Sequence, residues 1–568
     1  MTSRTAQQHS GSGQEGSRIN LGARATAAVI GKPYDQHFAA STNPDKRPGR
    51  SDDGEVSSAT YASAGKLPGD ALGPAVLRVD YRHPLERWLG LHPVRWLLGE
   101  MASCNGNGIT PLERIIASYR NPAASRSDRL LHWPVHLLID WLRGNTDVAT
   151  FRKRIAEHRP TVRGLVIVLK SLAEFGPIVP QRFVSPLFAV WNFTNRCNLA
   201  CKHCYQDSGK AALDDELSLQ EKLDLVDQMG SAHLPMLALS GGEPTMSPDL
   251  LPVLRRAQQY GMHATIAPNG TTMTAELAGR LAEAGLRYVE ISLDSVDPAR
   301  HDAFRGVAGM WQRAVAGAGV VAATAGLRLG IAMCVHQGNF HEVRDMISFA
   351  ESLGAGCFAH FNFIPVGRGL KMVHGDISPS QREELLGILN EKMQTGGIGV
   401  ISTAPQLGRV CLAGSTEGRA ACSHAGSGSG VKARVVAKYL GGCGAGRTYV
   451  CIEPNGDVTP CVYLPHRVMG NVRRAPLVEV FRRNAFWDVL NDRANRLGHC
   501  EVCAFRNYCG GCRARADAYH GQLHGGDPGC IFNSKHWDAL VASGVAVAED
   551  AQTPAGDMKL TPIRHGPA

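Results

Sequence analysis

The chain has 568 residues, enough for several domains, with 44% hydrophobic and 20% charged residues, as is typical of a globular protein. Its net charge of +9 is not gathered into a dense basic stripe with interleaved aromatic residues. The composition therefore speaks against a nucleic-acid-binding protein.

No stretch of the sequence has the length and apolar character of a membrane span. The longest uncharged apolar stretch, about residues 314–327, is shorter than the ~18 residues that a span requires. The N-terminus has no apolar run of signal-peptide length. We therefore expect a cytoplasmic protein without a membrane partner, in which the sixteen cysteines serve as metal ligands rather than as disulfides.

Composition and hydrophobic periodicity change along the chain and predict six segments. They are a disordered tail over 1–75, a helical domain of unknown role over 80–185, an α/β core over 186–402, a linker over 403–440, a cysteine-rich domain over 441–535 and a C-terminal tail over 536–568.

The α/β core is predicted from short apolar runs that alternate with helical stretches. The predicted strands cover 188–194, 236–240, 263–267, 287–293, 328–335 and 357–364, and the predicted helices cover 218–230, 250–260, 274–284, 310–324 and 340–353. Six such units in a row favour a parallel sheet, either open or curved into a partial barrel. In such folds the active site lies at the carboxyl ends of the strands.

A cysteine motif directly follows the first predicted strand. Cys197, Cys201 and Cys204 have the spacing C-x3-C-x2-C. Three thiolates suit a [4Fe–4S] cluster with one iron left open, and an open position is what a catalytic metal centre needs. The alternatives are three partly buried cysteines on one helix face, or a structural zinc site. A zinc site lacks a fourth ligand at normal spacing, because His203 is adjacent to Cys204 and would point elsewhere.

This spacing, followed by the aromatic Tyr205, resembles the signature of the radical S-adenosylmethionine (SAM) superfamily. In that family the open iron chelates SAM, and an electron from the cluster cleaves SAM to methionine and a 5′-deoxyadenosyl radical, which abstracts hydrogen from the substrate. The resemblance implies a partial (β/α)6 TIM-like barrel, a catalytic [4Fe–4S] cluster, SAM bound in part by Tyr205, and an electron donor such as a flavodoxin or ferredoxin.

Residues at the ends of later strands extend the resemblance. Gly241, Gly242 and Glu243 follow the second strand, where glycines let the backbone approach a ligand and a carboxylate can hold a ligand ammonium. Alone, this segment is an ordinary turn; in this position it resembles the motif that binds the SAM amino group.

Two further strand ends carry polar side chains. Asn269 follows the third strand, and Ser292 and Asp294 end the fourth, where they resemble ribose-contacting residues. The alternative for each is a polar cap of a strand end. Arg305 and Arg368 are weaker candidates. One hypothesis is that they bind carboxylates of SAM or of the substrate, and the alternative is that they lie in solvent.

The C-terminal region holds eight cysteines between Cys443 and Cys530 and resembles the SPASM domain, which carries auxiliary Fe–S clusters. By resemblance, one cluster is assigned to Cys443, Cys451, Cys461 and Cys512, and the other to Cys500, Cys503, Cys509 and Cys530. The family pattern has three residues between the last two cysteines of its four-cysteine run, whereas only Gly510 and Gly511 separate Cys509 from Cys512. The alternative is a zinc ribbon built on the C-x2-C pairs.

The segments 441–447 and 459–461 resemble maturases of modified haems, such as those of haem d1 and alternative haem synthesis. We therefore expect hydrogen abstraction from a modified tetrapyrrole. One alternative is a radical SAM maturase of a ribosomally synthesised peptide, although no winged-helix module for a precursor peptide is evident in residues 80–185. The other alternative is a non-catalytic Fe–S electron carrier or redox sensor. The residues that resemble a SAM pocket argue against it, because such a protein does not need to bind SAM.

Overall fold

The computed structural model describes residues 84–104, 108–143, 146–414, 419–422 and 426–548. The predicted tail over 1–75 lies outside these residues, as does the last part of the predicted C-terminal tail. None of the helices in the described part of the chain is long and apolar enough to cross a membrane.

The first part of the described chain is helical. Its helices are α1 (Pro84–Leu89), α2 (His92–Ala102), α3 (Pro111–Ser118), α4 (Arg126–Arg143), α5 (Val148–Phe151) and α6 (Arg159–Phe175), with a π-helical turn at Arg152–Ala156. Thr110 begins α3 with a capping box, in which its hydroxyl accepts the Glu113 N–H and the Glu113 carboxylate accepts the Thr110 N–H. The predicted helical character of this region is confirmed.

The α/β core alternates strands and helices. In chain order it contains β1 (Phe188–Thr194), α7 (Leu219–Ser231), β2 (Met236–Gly241), α8 (Leu250–Tyr260), β3 (His263–Ile266), α9 (Ala275–Glu283), β4 (Tyr288–Ser292), α10 (Pro298–Arg305), α11 (Met310–Ala323), β5 (Arg328–Val335), α12 (Val343–Ser352), β6 (Cys357–Asn362), α13 (Pro379–Thr395) and β7 (Gly399–Ser402). Short 3-10 helices cover Pro244–Met246, Phe340–Glu342 and Gly367–Gly375. All six predicted strands are present, each within two residues of its expected ends. The sequence did not predict α10, in which four of the eight residues are Arg, His or Asp, nor α13 and β7, which follow the sixth predicted strand.

Strands β1 to β7 form a parallel sheet in chain order. Side chains alternate between its two faces. The residues facing the helices, such as Trp191 and Leu239, are fully buried in the main core. On the other face, here called the inner face, Val190, Ser240 and Ser292 are half-buried. The predicted α/β class with a mostly parallel sheet is confirmed.

The cysteine-rich region continues this sheet. Its elements are α14 (Gln406–Ala413), β8 (Ala420–Cys422), β9 (Gly426–Gly428), α15 (Gly430–Leu440), β10 (Tyr449–Ile452), β11 (Asp457–Thr459), β12 (Gly470–Asn471), α16 (Leu477–Arg482), α17 (Trp487–Asn491), α18 (His499–Val502), α19 (Arg513–His520) and α20 (Ser534–Ala542), with a 3-10 turn at Ile531–Asn533. Strand β10 pairs in parallel with β1, and β11 and β12 follow it in antiparallel order. The segment 403–440, expected to be a linker, contains α14 and α15, and most of α14 is buried.

Candidate active site and auxiliary cysteine sites

The three cysteines of the first motif lie on the loop after β1, at the carboxyl edge of the sheet. The Cys197 N–H donates to Gly209 O at 2.6 Å, and its sulfur accepts the Leu199 N–H at 3.5 Å. Burial raises the pKa of the Cys197 thiol to about 11, and the thiolates of Cys201 and Cys204 add to this by repulsion. The structure therefore brings the three predicted ligands together.

Two arginines contact this cysteine loop. Arg305 places its Nη1 3.7 Å from the Cys201 sulfur, while its backbone carbonyl accepts the Ala200 N–H at 3.1 Å. Arg368 donates from Nε to Cys201 O at 2.9 Å and from Nη1 to Ser208 O at 2.6 Å. Neither guanidinium lies free in solvent; both hold the loop in place and bring positive charge to the cysteine motif.

The glycines after β2 lie against the same loop. The Gly242 N–H donates to Thr194 O at 2.8 Å. A Cβ atom at Gly242 would lie 2.3 Å from Arg196 O, so no larger residue fits without moving the loop. The glycines thus have a packing role beside their predicted approach to SAM, and that approach stays a prediction.

Glu243 is completely buried between the ends of β2 and β3. Its carboxylate accepts the Asn269 N–H at 2.7 Å and the Thr245 N–H at 3.1 Å. Burial raises the pKa of Glu243, and these hydrogen bonds oppose the rise. The carboxylate therefore joins two strand ends, and its predicted contact with the SAM ammonium stays a prediction.

Asn269 connects the third strand end to the cysteine loop. Its Nδ2 donates to Asn198 Oδ1 at 2.8 Å, and its Oδ1 accepts the Thr271 N–H at 3.0 Å. Asn198 in turn donates to Thr271 Oγ1 at 2.9 Å. Sequence reasoning missed Asn198 and Thr271, because nothing in their spacing distinguishes them from ordinary loop residues.

Ser292 and Asp294 lie at the end of the fourth strand, and Ser292 is half-buried. Asp294 is 1% exposed and accepts Arg305 Nε at 2.7 Å and the Cys334 N–H at 2.9 Å. Burial would raise the pKa of Asp294, but the Arg305 guanidinium, His203, His301 and the Cys334 N–H together lower it to about 2. Asp294 is therefore a paired anion, and the predicted ribose contacts of both residues stay predictions.

A polar cluster on the inner face joins Tyr205 to the cysteine-rich region. The Tyr205 hydroxyl donates to Asn192 Oδ1 at 3.1 Å and lies 3.1 Å from Ser240 Oγ. Asn192 Nδ2 donates to Glu453 Oε2 at 2.9 Å, and the Gln206 amide donates to the same oxygen at 3.1 Å. Burial raises the pKa of Glu453. Sequence reasoning missed Asn192 and Glu453, because only the pairing of β10 with β1 brings them together.

Three auxiliary cysteines form group 1, defined here as Cys443, Cys461 and Cys512. Burial raises the pKa of Cys461, and the thiolates of Cys443 and Cys512 raise it further. The Tyr449 hydroxyl donates to the Cys461 sulfur at 2.7 Å. Cys443, Cys461 and Cys512 pack in one apolar cluster with Tyr449 of β10.

The fourth cysteine assigned to that cluster has other contacts as well. Cys451 is fully buried on β10, where its sulfur accepts Asn192 Nδ2 at 3.4 Å and its thiol donates to Glu453 Oε1 at 3.5 Å. Burial raises the pKa of Cys451, and the nearby thiolate of Cys461 contributes. Cys451 lies between group 1 and the Tyr205 cluster, and its role as a ligand stays a prediction.

The remaining four cysteines form group 2, defined as Cys500, Cys503, Cys509 and Cys530. Burial raises the pKa of Cys509 well above its usual range, and the other three thiolates of the group raise it further. The Asn533 amide donates to the Cys500 sulfur at 3.4 Å. The structure therefore brings together the same four cysteines that the resemblance assigned to one cluster.

Only two residues separate Cys509 of group 2 from Cys512 of group 1, and they form a tight turn. Gly510 and Gly511 both have left-handed φ angles, +65° and +66°, which only glycine adopts readily. The turn joins Cys509 of group 2 to Cys512 of group 1. That two residues suffice where the family pattern has three stays a prediction.

The donor sets fit thiolate-bound clusters. None of the fifteen described cysteine side chains forms a disulfide. Each group has an N–H or O–H donor at a sulfur, and Arg305 lies beside Cys201, which suits the negative charge of thiolate-bound iron.

Fold and site define a class of enzyme. Three cysteines lie at the carboxyl edge of a mostly parallel sheet, and a cysteine-rich region continues that sheet. The sequence matches the Radical SAM superfamily over residues 191–350 and SPASM, an iron–sulfur cluster-binding domain, over residues 443–504. The chain belongs to the radical SAM superfamily, whose cofactors are a [4Fe–4S] cluster and SAM, and its SPASM domain is of the type that holds auxiliary Fe–S clusters.

Among known proteins, the chain is 31% identical to the AdoMet-dependent heme synthase of Methanosarcina barkeri over 61% of this chain and 97% of that protein. It is 29% identical to mycofactocin maturase MftC of Mycobacterium tuberculosis, over 61% of this chain and 83% of that protein. The fold is similar to that of SuiB from Streptococcus suis, with a TM-score of 0.54 and 15% identity over 74% of this chain and 93% of SuiB. Membership of an enzyme superfamily argues against the alternative of a non-catalytic electron carrier.

Proposed function

We propose that this radical SAM enzyme abstracts hydrogen from a haem-type tetrapyrrole. The observation that carries the proposal is the 31% identity with an AdoMet-dependent heme synthase along 97% of that protein. At this coverage the similarity extends over nearly the whole length of the relative.

Separate sets of residues are proposed to bind the catalytic cluster, to position its loop and to bind SAM. Cys197, Cys201 and Cys204 would hold the catalytic cluster, and Arg305 and Arg368 would keep their loop in position. When bound and reduced by a donor such as a flavodoxin or ferredoxin, the cluster supplies the electron that cleaves SAM to the radical that takes hydrogen from the substrate. Gly241, Gly242, Glu243, Asn269, Ser292, Asp294 and Tyr205 would bind SAM, as the resemblance implies.

Aromatic side chains between the cysteine loop and group 1 support a flat, largely apolar substrate. Tyr205 and Tyr463 meet edge to face with ring centroids 5.4 Å apart, and Phe188 and Tyr449 lie 6.2 Å apart. Half-buried and buried apolar residues, including Val366, pack around them. Large aromatic surfaces suit the faces of a macrocycle, and the polar cluster around Glu453 offers orienting hydrogen bonds at one side.

We further propose that the two cysteine groups hold two auxiliary [4Fe–4S] clusters, with Cys451 completing group 1. The domain limits given above are part of this proposal, although β10 to β12 share one sheet with the core. An auxiliary cluster close to the aromatic patch could anchor the substrate or accept an electron from it.

A second candidate is maturation of a ribosomally synthesised peptide. It is favoured by the 29% identity with mycofactocin maturase along 83% of that protein. The two candidates share the catalytic motif and differ in the substrate alone, so only a substrate assay separates them.

The test uses the anaerobically reconstituted, reduced full-length protein with SAM and a panel of iron tetrapyrroles that carry carboxylate side chains. We expect 5′-deoxyadenosine to form faster with one of them, and the mass of that tetrapyrrole to change. Cys201→Ala should abolish both signals, whereas Cys411→Ala, a buried cysteine of α14 outside both groups, should retain them. Stimulation by a precursor peptide and by no tetrapyrrole would replace the first candidate with the second.

A further inference from the structure

Asp527 lies between the two auxiliary cysteine groups and is completely buried. Its Oδ2 accepts the backbone N–H of Cys512 at 2.7 Å and the Gln406 amide at 2.5 Å, while its Oδ1 accepts the Gly529 N–H at 3.0 Å. One side chain therefore fixes the backbone of a group 1 cysteine and shapes the turn that leads to Cys530 in group 2.

The backbone of the same residue holds group 2. The carbonyl oxygen of Asp527 accepts the Cys530 N–H at 3.2 Å and the Asn533 Nδ2 at 3.0 Å. The same Asn533 amide donates to the Cys500 sulfur at 3.4 Å. Asp527 thus accepts a hydrogen bond from Cys512 with its side chain and one from Cys530 with its backbone carbonyl. It is connected to Cys500 through the Asn533 amide.

The negative charge of Asp527 is balanced inside the protein. Arg515 Nη1 lies 3.7 Å from Asp527 Oδ1, and both side chains are 0% exposed. Arg515 also lies 3.4 Å from Asp376, which pairs with Arg382 at 2.6 Å. The Arg515 N–H donates to the Cys512 sulfur at 3.4 Å. Two carboxylates and two guanidiniums form one buried network, and of the two carboxylates only Asp527 accepts a hydrogen bond from a cysteine N–H.

We propose that Asp527 is a positioning residue shared by the two auxiliary groups, so that both sites bind their clusters together rather than independently. This inference rests on the proposed assignment of groups 1 and 2 to Fe–S clusters. It concerns metal binding alone, so it is tested without any substrate, and a failure of the tetrapyrrole proposal leaves it unaffected.

Asp527→Asn tests the proposal with almost no change in shape. Both oxygens of Asp527 accept N–H donors, so either orientation of the Asn amide sets an NH2 group against another donor. We expect iron to fall from ~12 towards ~4 per chain, as both auxiliary clusters become labile. The electron paramagnetic resonance (EPR) signal that responds to SAM should remain, and so should SAM cleavage, because Asp527 makes no contact with the loop of Cys197.

The matched control is Asp376→Asn, which disturbs the same buried arginine pair. Asp376 accepts from Arg382 and Tyr519 and from no cysteine. This variant should lose thermal stability and keep its full iron content and both auxiliary signals. Equal iron loss in the two variants would show that the network acts through stability alone and would overturn the proposal.

Two further outcomes decide against a shared role. Full iron content in Asp527→Asn, or loss of the group 1 cluster alone, would each overturn it. Wild-type protein gives a measurement that does not depend on a variant folding: apo-protein titrated with iron and sulfide should develop the two auxiliary EPR signals in parallel. Sequential appearance of the two signals would equally overturn the proposal.

Discussion

Arg305 donates from Nε to Asp294 Oδ2 at 2.7 Å, in an ion pair whose side chains are 10% and 1% exposed. The pair ties α10 to the end of β4, and the same guanidinium lies 3.7 Å from the Cys201 sulfur. A single buried cation therefore balances both a carboxylate and the cysteine motif. Arg305 therefore contributes both to the stability of the fold and to the positive charge at the catalytic site.

Replacing Arg305 with Gln should be strongly destabilising, because Asp294 would be left as an unpaired buried charge. We expect a loss of about 3–5 kcal/mol in the free energy of unfolding, measured by denaturant titration. Asp294→Asn in the same chain should recover part of the loss. The control is Arg344→Gln, whose partner Glu391 is exposed, and it should cost less than about 1 kcal/mol. Similar losses in the free energy of unfolding for Arg305→Gln and Arg344→Gln would contradict the buried-pair interpretation.

Gly242→Ala should displace the cysteine loop, because the new Cβ would lie 2.3 Å from the backbone oxygen of Arg196. We expect the variant to lose the catalytic cluster, so that iron falls by ~4 per chain and SAM cleavage stops. Gly279→Ala on α9 has nothing within 4 Å and should leave iron content unchanged while stabilising the helix by about 0.5–1 kcal/mol. Full iron and normal cleavage in Gly242→Ala would show that the loop accommodates the methyl group.

Glu290 predicts a pH dependence of stability. It lies on the inner face of β4, two residues before Ser292, and burial raises its pKa to about 7. A group whose folded pKa exceeds its unfolded value of about 4.3 contributes stability below that value and loses it as the pH rises through the folded pKa. Glu290→Gln should therefore be more stable than wild type at pH 8 by about 2–4 kcal/mol, with no gain at pH 4. Exposed Glu276→Gln is the control. A pH-independent difference for Glu290→Gln would argue against a buried, titrating carboxyl.

Glu243→Gln tests whether the buried carboxylate also holds the SAM ammonium. Loss of a charge-assisted hydrogen bond should weaken SAM binding by about 1.5–3 kcal/mol, roughly ten- to a hundred-fold in Kd. Thr245→Val removes a hydroxyl that donates to the same carboxylate but keeps its charge, so SAM affinity should be retained. Equal affinity in folded Glu243→Gln and wild type would leave Glu243 with its structural role alone.

Cys512→Ala tests the cysteine that follows the shortened spacing. Group 1 would lose one thiolate, whereas the ligands of group 2 and of the catalytic motif remain complete. Because the two auxiliary sites are proposed to bind their clusters together, iron should fall from ~12 towards ~4 per chain, and a fall only to ~8 would show that they bind independently. SAM cleavage should persist and substrate turnover should be lost. Cys411→Ala serves as the control, since that cysteine is buried outside both groups. Unchanged iron in Cys512→Ala would remove it from the ligand set, and stoichiometric zinc in wild type would favour a zinc ribbon.

The sequence alone determined the class of fold and the chemistry of the catalytic motif. Both rest on local patterns: the apolar runs that became β1 to β6, the C-x3-C-x2-C spacing, and the glycines and polar residues at strand ends. Such patterns are readable because neighbouring residues in the chain act together within one element.

Only the tertiary structure decided which distant residues act on these motifs. Arg305 reaches Cys201 across 104 positions, and Asn192 meets Glu453 across 261, because the carboxyl ends of parallel strands converge at one edge of the sheet. Asp527 lies between the cysteine groups for a different reason. A turn and a buried ion pair hold it there, and neither leaves a spacing pattern in the sequence. Contacts of this kind depend on strand pairing and on burial, which one-dimensional periodicity does not encode.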